Sequence, residues 1–134
     1  MIVDASVAVK LLAPEDGSEI SKAILISQNV IAPDLLLAEV SNAMWSKVRR
    51  GILAAPNTRL DQLPLFIAEF IPSVELMDDA LRLAIELGHP VYDCFYLALA
   101  IARDVPLVTA DARFLVAIAG TGHQSRVTRL SDWR

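Results

Sequence analysis

The sequence predicts an α/β fold with a mainly parallel central sheet covered by helices on both faces. Two observations carry this. Short apolar runs alternate with longer segments of helical spacing along all 134 residues, which is the pattern of strand–helix–strand units. No internal repeat, low-complexity tract or long linker interrupts that alternation, so a single domain over 1–134 is expected, large enough to bury a core without disulfides.

Met1 to Val3 reads as a strand entering Asp4, and Ser6 to Leu12 as a short helix. After the Glu15-Asp16-Gly17 turn, Ser18 to Ser27 is helical with Ile20, Ala23, Ile24 and Ser27 on one face. Val30 to Ala32 is a brief buried strand closed by Pro33. Asp34 to Arg50 is the clearest helix, with Asp34 as N-cap and Gly51 just past its last turn. Pro56-Asn57-Thr58 is expected to open a helix running to about Phe70, with Pro64 at its first turn or a kink. Ile71 to Leu76 alternates like a strand, and Asp78 to Leu87 is helical and stops at Gly88. Tyr92 to Arg103 is a buried helix, Pro106 to Thr109 a strand, Ala112 to Ala119 a helix and Val127 to Leu130 a last strand.

Hydrophobic residues make up 54% of the chain, enough to favour burial of some surface in a homodimer. Apolar stretches are broken before the ~18 to 20 residues that a membrane span needs, and the first residues do not resemble a signal peptide, so a cytoplasmic protein is expected. The lone Cys94 sits in an apolar run and reads as a core residue. His89 and His123 are too few and too separated for a zinc site or a histidine-based triad. A net charge of −4 argues against a uniformly basic nucleic-acid binder. If four of the sixteen acids were gathered around metal ions, twelve would remain against twelve Lys and Arg, leaving room for a locally basic face.

The informative residues are acids in awkward places. Asp4 ends IVD and Asp111 ends LVTAD, each followed by Ala and a helical run. Both suit helix N-caps, and both point to the carboxyl edge of a parallel sheet, where ligands bind. Glu39 falls within the apolar stripe of its helix, four residues after Leu35 and three after Leu36, in mid-helix where neither cap nor dipole rewards it. Asn42 lies one turn later on the same face. Asp93 opens an apolar helix after Pro90; it complements the helix dipole, yet its neighbours threaten to desolvate it. Clustered carboxylates repel unless a cation compensates them, and hard Mg²⁺ or Mn²⁺ prefers such oxygen donors. Asp4, Glu39, Asp93 and Asp111 are therefore candidate ligands, with Ser6 and Thr109 as nearby hydroxyl donors. A site of this kind activates water for phosphodiester hydrolysis without a histidine base.

The set IVDAS, LLLAEVSNA, PVYDCFYLALA and LVTAD resembles the PIN-domain ribonucleases, specifically the VapC-like toxins of toxin–antitoxin pairs, over nearly the whole chain. The resemblance implies a compact three-layer α/β/α domain, a Mg²⁺ or Mn²⁺ site, endoribonuclease activity on structured RNA such as tRNA or rRNA, and inhibition by a cognate antitoxin. Carried over by position, Asp4, Glu39, Asp93 and Asp111 resemble the family's metal-binding, catalytic acids, and Ser6, Asn42 and Thr109 their supporting polar residues. Arg113 occupies the neighbourhood where some relatives carry a further acid.

Lys10, Lys47, Arg49, Arg50 and Arg113 are candidate RNA contacts, although Lys47 to Arg50 also suit the dipole of the helix they close. The apolar Leu60 to Phe70 segment is either core or a groove for an antitoxin helix. Two other readings of the acids remain: a receiver-like signalling domain with a Mg²⁺ pocket, and a binding protein of this fold without turnover.

Overall fold

A computed structural model describes residues 1–134, apart from the side chain at position 56, where the sequence expects a helix to open. Five strands, β1 (Ile2–Val3), β2 (Ile31–Pro33), β3 (Glu69–Ile71), β4 (Leu107–Thr109) and β5 (Val127–Arg129), form one sheet in the order β3-β2-β1-β4-β5. Every pairing is parallel. The α-helices are α1 (Ala5–Leu12), α2 (Ser18–Ser27), α3 (Leu35–Arg49), α4 (Met77–Leu87), α5 (Val91–Arg103) and α6 (Ala112–Ile118). Parallel strands need crossovers, and the helices that supply them bury the sheet in a three-layer α/β/α arrangement. Helix α1 packs on α2 and α3, α4 packs on α5, and α5 lies on β1 and β2.

The topology fixes where a ligand can bind. From β1 the chain builds outward through β2 and β3, then returns to place β4 on the other side of β1. The reversal opens a crevice beyond the carboxyl ends of β1 and β4, the preferred binding edge of an open α/β sheet. Val3 is in register with Val108, so the residues that follow, Asp4 and Thr109, meet at that crevice.

Strand and helix interiors follow the apolar pattern. Ile2, Val3, Leu107 and Val108 are fully buried in the two central strands, and Leu36, Val40 and Met44 recur at a four-residue spacing along the buried face of α3. Gly88 closes α4 with φ +61, a left-handed cap that an L side chain adopts only at a cost.

Four local expectations change. Pro33 belongs to β2 rather than closing it. Ile31 donates its N–H to Met1 O, so Pro33, two residues on, turns its missing donor to the same flank, beside the point where β1 gives way to α1. The segment before β3 is a 3-10 helix over Leu60–Phe66, and residues 69–71 are strand. Pro64 removes a backbone donor inside that segment and crowds the preceding turn, which disfavours an α-helix. Leu63 is buried and Leu65 is 80% exposed, so the segment is partly core and partly surface. The alternation from Ile71 to Leu76 is not a strand: Pro72 ends the ladder, and Ser73–Leu76 is another 3-10 turn. Asp34 precedes α3 but does not cap it with its side chain. Its carboxylate accepts from Ser73 N and Ser73 Oγ, while Ser73 Oγ accepts the orphan N–H of Leu35. A serine 38 residues away in the chain thus satisfies the start of the helix.

Candidate active site

Asp4 leaves β1 with extended backbone and caps α1, accepting the Val7 N–H at 3.2 Å. Its side chain is only 2% exposed. Ser6 Oγ donates to Asp4 Oδ1 and the fully buried Thr109 hydroxyl donates to Asp4 Oδ2. The same hydroxyls order the end of β4: Ser6 Oγ accepts the Ala110 N–H at 2.8 Å, and Thr109 Oγ1 accepts the Asp111 N–H at 3.0 Å. Asp111 caps α6, its Oδ1 accepting from Arg113 N and Phe114 N at 2.8 and 3.1 Å. The cap role and a role at the crevice coexist, because the cap engages one oxygen only.

Glu39 faces α5 from α3. Tyr96, fully buried, donates its hydroxyl to Glu39 Oε1 at 2.6 Å. Asp93, in the first turn of α5, has Oδ2 at 2.6 Å from His89 Nε2, and the imidazole is tilted against the Phe114 ring with centroids 5.3 Å apart. One oxygen of each of these acids is therefore anchored. Oε2 of Glu39, Oδ1 of Asp93 and Oδ2 of Asp111 have no protein partner among the described residues, and none of them is a buried, unsatisfied atom. These three oxygens face solvent.

The acids share one electrostatic field. Burial pushes the Asp4 carboxyl up to about 7 against the hydrogen bonds of Ser6 and Thr109, and the Asp93 charge adds to the rise. Burial also raises Glu39, with a further push from Asp93 and opposition from the Tyr96 hydroxyl. Asp93 is itself raised, first by burial and then by Asp111, while His89 opposes both. Asp93 is thus the common neighbour of the other three. Burial and the adjacent Glu39 drive the Tyr96 phenol far upward, which keeps it a neutral donor.

Such a constellation favours a cation. The donors are carboxylate and hydroxyl oxygens, the set that hard divalent ions select. No three His, Cys, Asp or Glu side chains among the described residues form a ready-made cage. One or two carboxylates completed by waters is the usual arrangement for Mg²⁺, so the open oxygens fit an ion of that kind.

Two grooves lie near these acids, one reaching Glu39 and the other reaching Ser6, which donates to Asp4. One, about 430 Å³, is lined by Leu35, Ala38, Glu39, Asn42 and Tyr92. The other, about 340 Å³, runs from Ser6 between α1 and α3 and carries Lys10, Lys47 and Arg50 beside Glu15. Within it Glu15 receives Lys10 at 3.0 Å and Lys47 at 2.8 Å. Burial works against that carboxylate, but the Lys47 and Lys10 ammoniums hold it below its usual range.

The structure therefore brings Asp4, Ser6, Thr109 and Asp111 together at the β1–β4 junction, and sets Glu39 and Asp93 within their field. Asn42 is exposed on the groove beside Glu39, and Arg113 is exposed in the first turn of α6. Arg49 lies over the Trp45 ring at 4.9 Å, outside both grooves. Two residues that hold the acids escaped the sequence reading. Tyr96 looks like core in an apolar run, although its place three residues after Asp93 puts it on the same helical face. His89 lies between α4 and α5, outside both helices, so no helical spacing in the sequence points from it to Asp93.

Comparison with known proteins agrees with the fold. The PIN domain family model matches residues 1–119. The chain is 36% identical to Ribonuclease VapC3 of Pyrobaculum aerophilum over 116 residues, covering 83% of this chain and 88% of that protein. It is also 36% identical to Ribonuclease VapC1 of Mycobacterium tuberculosis over 121 residues, covering 87% and 89%. A crystal structure of a Pyrobaculum aerophilum protein superposes with a TM-score of 0.67 at 25% identity, covering 97% of this chain and 83% of that one.

Proposed function

The chain belongs to the PIN-domain family as a VapC-like member, and we propose that it is a Mg²⁺- or Mn²⁺-dependent endoribonuclease, the toxin of a toxin–antitoxin pair. The substrate class is structured RNA, tRNA or rRNA, and the reaction is hydrolysis of a phosphodiester bond by water. The observation that supports this best is the position of Asp93, whose charge acts on Asp4 and Glu39 and is acted on by Asp111, while a groove lined by Lys10, Lys47 and Arg50 opens at Ser6, the residue that donates to Asp4.

A divalent ion, when bound, offsets the charge of the attacked phosphate and acidifies a water for attack. Glu39, Asp93 and Asp111 would hold it through their open oxygens, and Asp4, both of whose oxygens already accept hydrogen bonds, through the lone pair left on Oδ2 and its negative charge. Ser6 and Thr109 fix Asp4, Tyr96 fixes Glu39 and His89 fixes Asp93. Fixed carboxylates lose little freedom when the ion arrives, which is the advantage of a pre-formed site. Asp4, displaced to about 7 by burial, gives up its proton more readily once a cation shares its pocket. Lys10, Lys47 and Arg50, which line one groove, guide the phosphate backbone toward these acids, and Arg49 and Arg113 contact it outside the grooves. The toxin works in the cytoplasm as a homodimer and is held inactive by its cognate antitoxin, which packs on the exposed part of the Leu60–Phe66 segment.

The test is incubation of total tRNA and rRNA with the purified protein and Mg²⁺ or Mn²⁺, beside an EDTA control and Asp93→Asn. Discrete fragments that vanish in both controls are expected. Fragments that persist in Asp93→Asn at the wild-type rate would refute the assignment of Asp93.

A further inference from the structure

The groove beside Glu39 has a chemistry different from its basic neighbour. Of its lining residues, Leu35, Ala38, Glu39 and Asn42 follow one another along one face of α3 at the spacing i, i+3, i+4 and i+7, and Tyr92 closes it from the first turn of α5. It contains no lysine or arginine, and its one charge is a carboxylate, so it repels phosphate. Its walls are an aromatic ring, two aliphatic side chains and an amide. Tyr92 is 59% exposed, and this ring precedes Asp93 directly in the chain.

We infer that this groove is a base-binding subsite in which Tyr92 stacks on an unpaired nucleobase next to the cleaved phosphate and the Asn42 amide bonds its edge. The inference rests on the nuclease reading above and divides the substrate between two grooves, one lined by Glu39 and the other opening at Ser6, the residue that donates to Asp4. Phosphates follow the side lined by Lys10, Lys47 and Arg50, and a base enters the side that lacks cations. A ring with a free face beside an amide suits a flat heteroaromatic with donor and acceptor edges. A paired base cannot enter such a groove, so the nucleotide must be splayed out of any duplex. The substrate at the cleavage point is then a loop or bulge, even where the rest of the RNA is folded.

The experiment measures binding in EDTA, where metal-dependent cleavage is off, by anisotropy of fluorescein-labelled oligoadenylate and of an abasic ribose-phosphate chain of equal length. Tyr92→Ala should weaken oligoadenylate binding roughly 5- to 150-fold, the loss of one base–aromatic stack. Tyr92→Trp should bind it like wild type, and the abasic chain should bind all three proteins alike. Because Tyr92 is exposed, the alanine variant keeps its core, which circular dichroism checks. Equal binding of oligoadenylate by Tyr92→Ala and wild type overturns the inference, and that is also the result if the groove takes a partner protein's side chain instead. Absence of oligoadenylate binding by wild type overturns it too. Cleavage with Mg²⁺ is scored separately, so a protein that binds through Tyr92 without turnover refutes the nuclease reading, and one that cleaves without using Tyr92 refutes this one.

Discussion

His89 Nε2 and Asp93 Oδ2 lie 2.6 Å apart across the start of α5, in a contact whose side chains are 10% and 20% exposed. The imidazole also rests on Phe114 of α6, the helix that Asp111 caps. One side chain thereby ties the Asp93 carboxylate to the element carrying Asp111. A partner of this kind turns a flexible carboxylate into an oriented ligand, and losing such partners typically costs 10- to 100-fold in metal affinity or activity. His89→Ala should lower Mn²⁺ affinity, read by calorimetric titration, by about that factor. His89→Gln, which keeps a hydrogen-bonding group in reach, should recover part of it. An affinity unchanged in His89→Ala would show that Asp93 is oriented without its neighbour.

The acids that make the crevice were legible because each breaks a local rule. A carboxylate inside the apolar stripe of α3 and another at the head of an apolar helix are costly to a plain core, and Asp4 and Asp111 end strands where βα turns begin. The groups that restrain them were less legible because their contacts cross the chain. Tyr96 and Glu39 are 57 residues apart, and Lys47 and Glu15 are 32 apart. His89 is near Asp93 in sequence, but Gly88 and Pro90 surround it with a helix stop and a helix start, so no single periodicity relates the two residues. Very short strands blur the pattern as well. Two residues of β1 carry no alternation, while Ile71 to Leu76 alternates without being a strand.

Asp4 makes the metal-free protein sensitive to pH. Its folded carboxyl sits at about 7 against an ordinary value of 3.8, so between those values the folded state binds more protons than the unfolded chain. The stability this proton contributes is fully present below about pH 4 and is lost as pH rises to about 7, in total roughly 4 kcal/mol at most, at 1.36 kcal/mol per unit. Glu39 and Asp93 are displaced in the same direction. Thermal unfolding in EDTA should show Tm falling from pH 5 to pH 7 by several degrees. Asp4→Asn, which has no proton to lose, should flatten much of that slope and raise Tm at pH 7.5. Added Mg²⁺ should raise wild-type Tm at pH 7.5 more than at pH 5, by mass action on the deprotonated site. A Tm that rises through this window in EDTA would contradict the sign of the Asp4 displacement.

The basic groove makes a prediction of the opposite character, since it concerns rates and salt rather than folding. Its lining includes three cations, Lys10, Lys47 and Arg50, and one carboxylate, Glu15, which is bound by two of them. Both ammoniums are largely covered in these pairs, with side-chain exposures of 14% and 15%, so each must exchange Glu15 for a phosphate when RNA arrives. Glu15→Gln removes the competitor and should tighten binding of a single-stranded RNA at low salt, with little effect on stability because partly exposed ion pairs contribute about 0 to 1 kcal/mol. Lys47→Ala should weaken binding similarly for every sequence and reduce the slope of log K against log salt by about 0.7, the value for one phosphate contact on a single strand. Anisotropy titrations across a salt series measure both. A slope unchanged in Lys47→Ala would place the RNA backbone elsewhere, whereas an unchanged affinity in Glu15→Gln would mean that Lys10 and Lys47 reach phosphate without leaving their carboxylate.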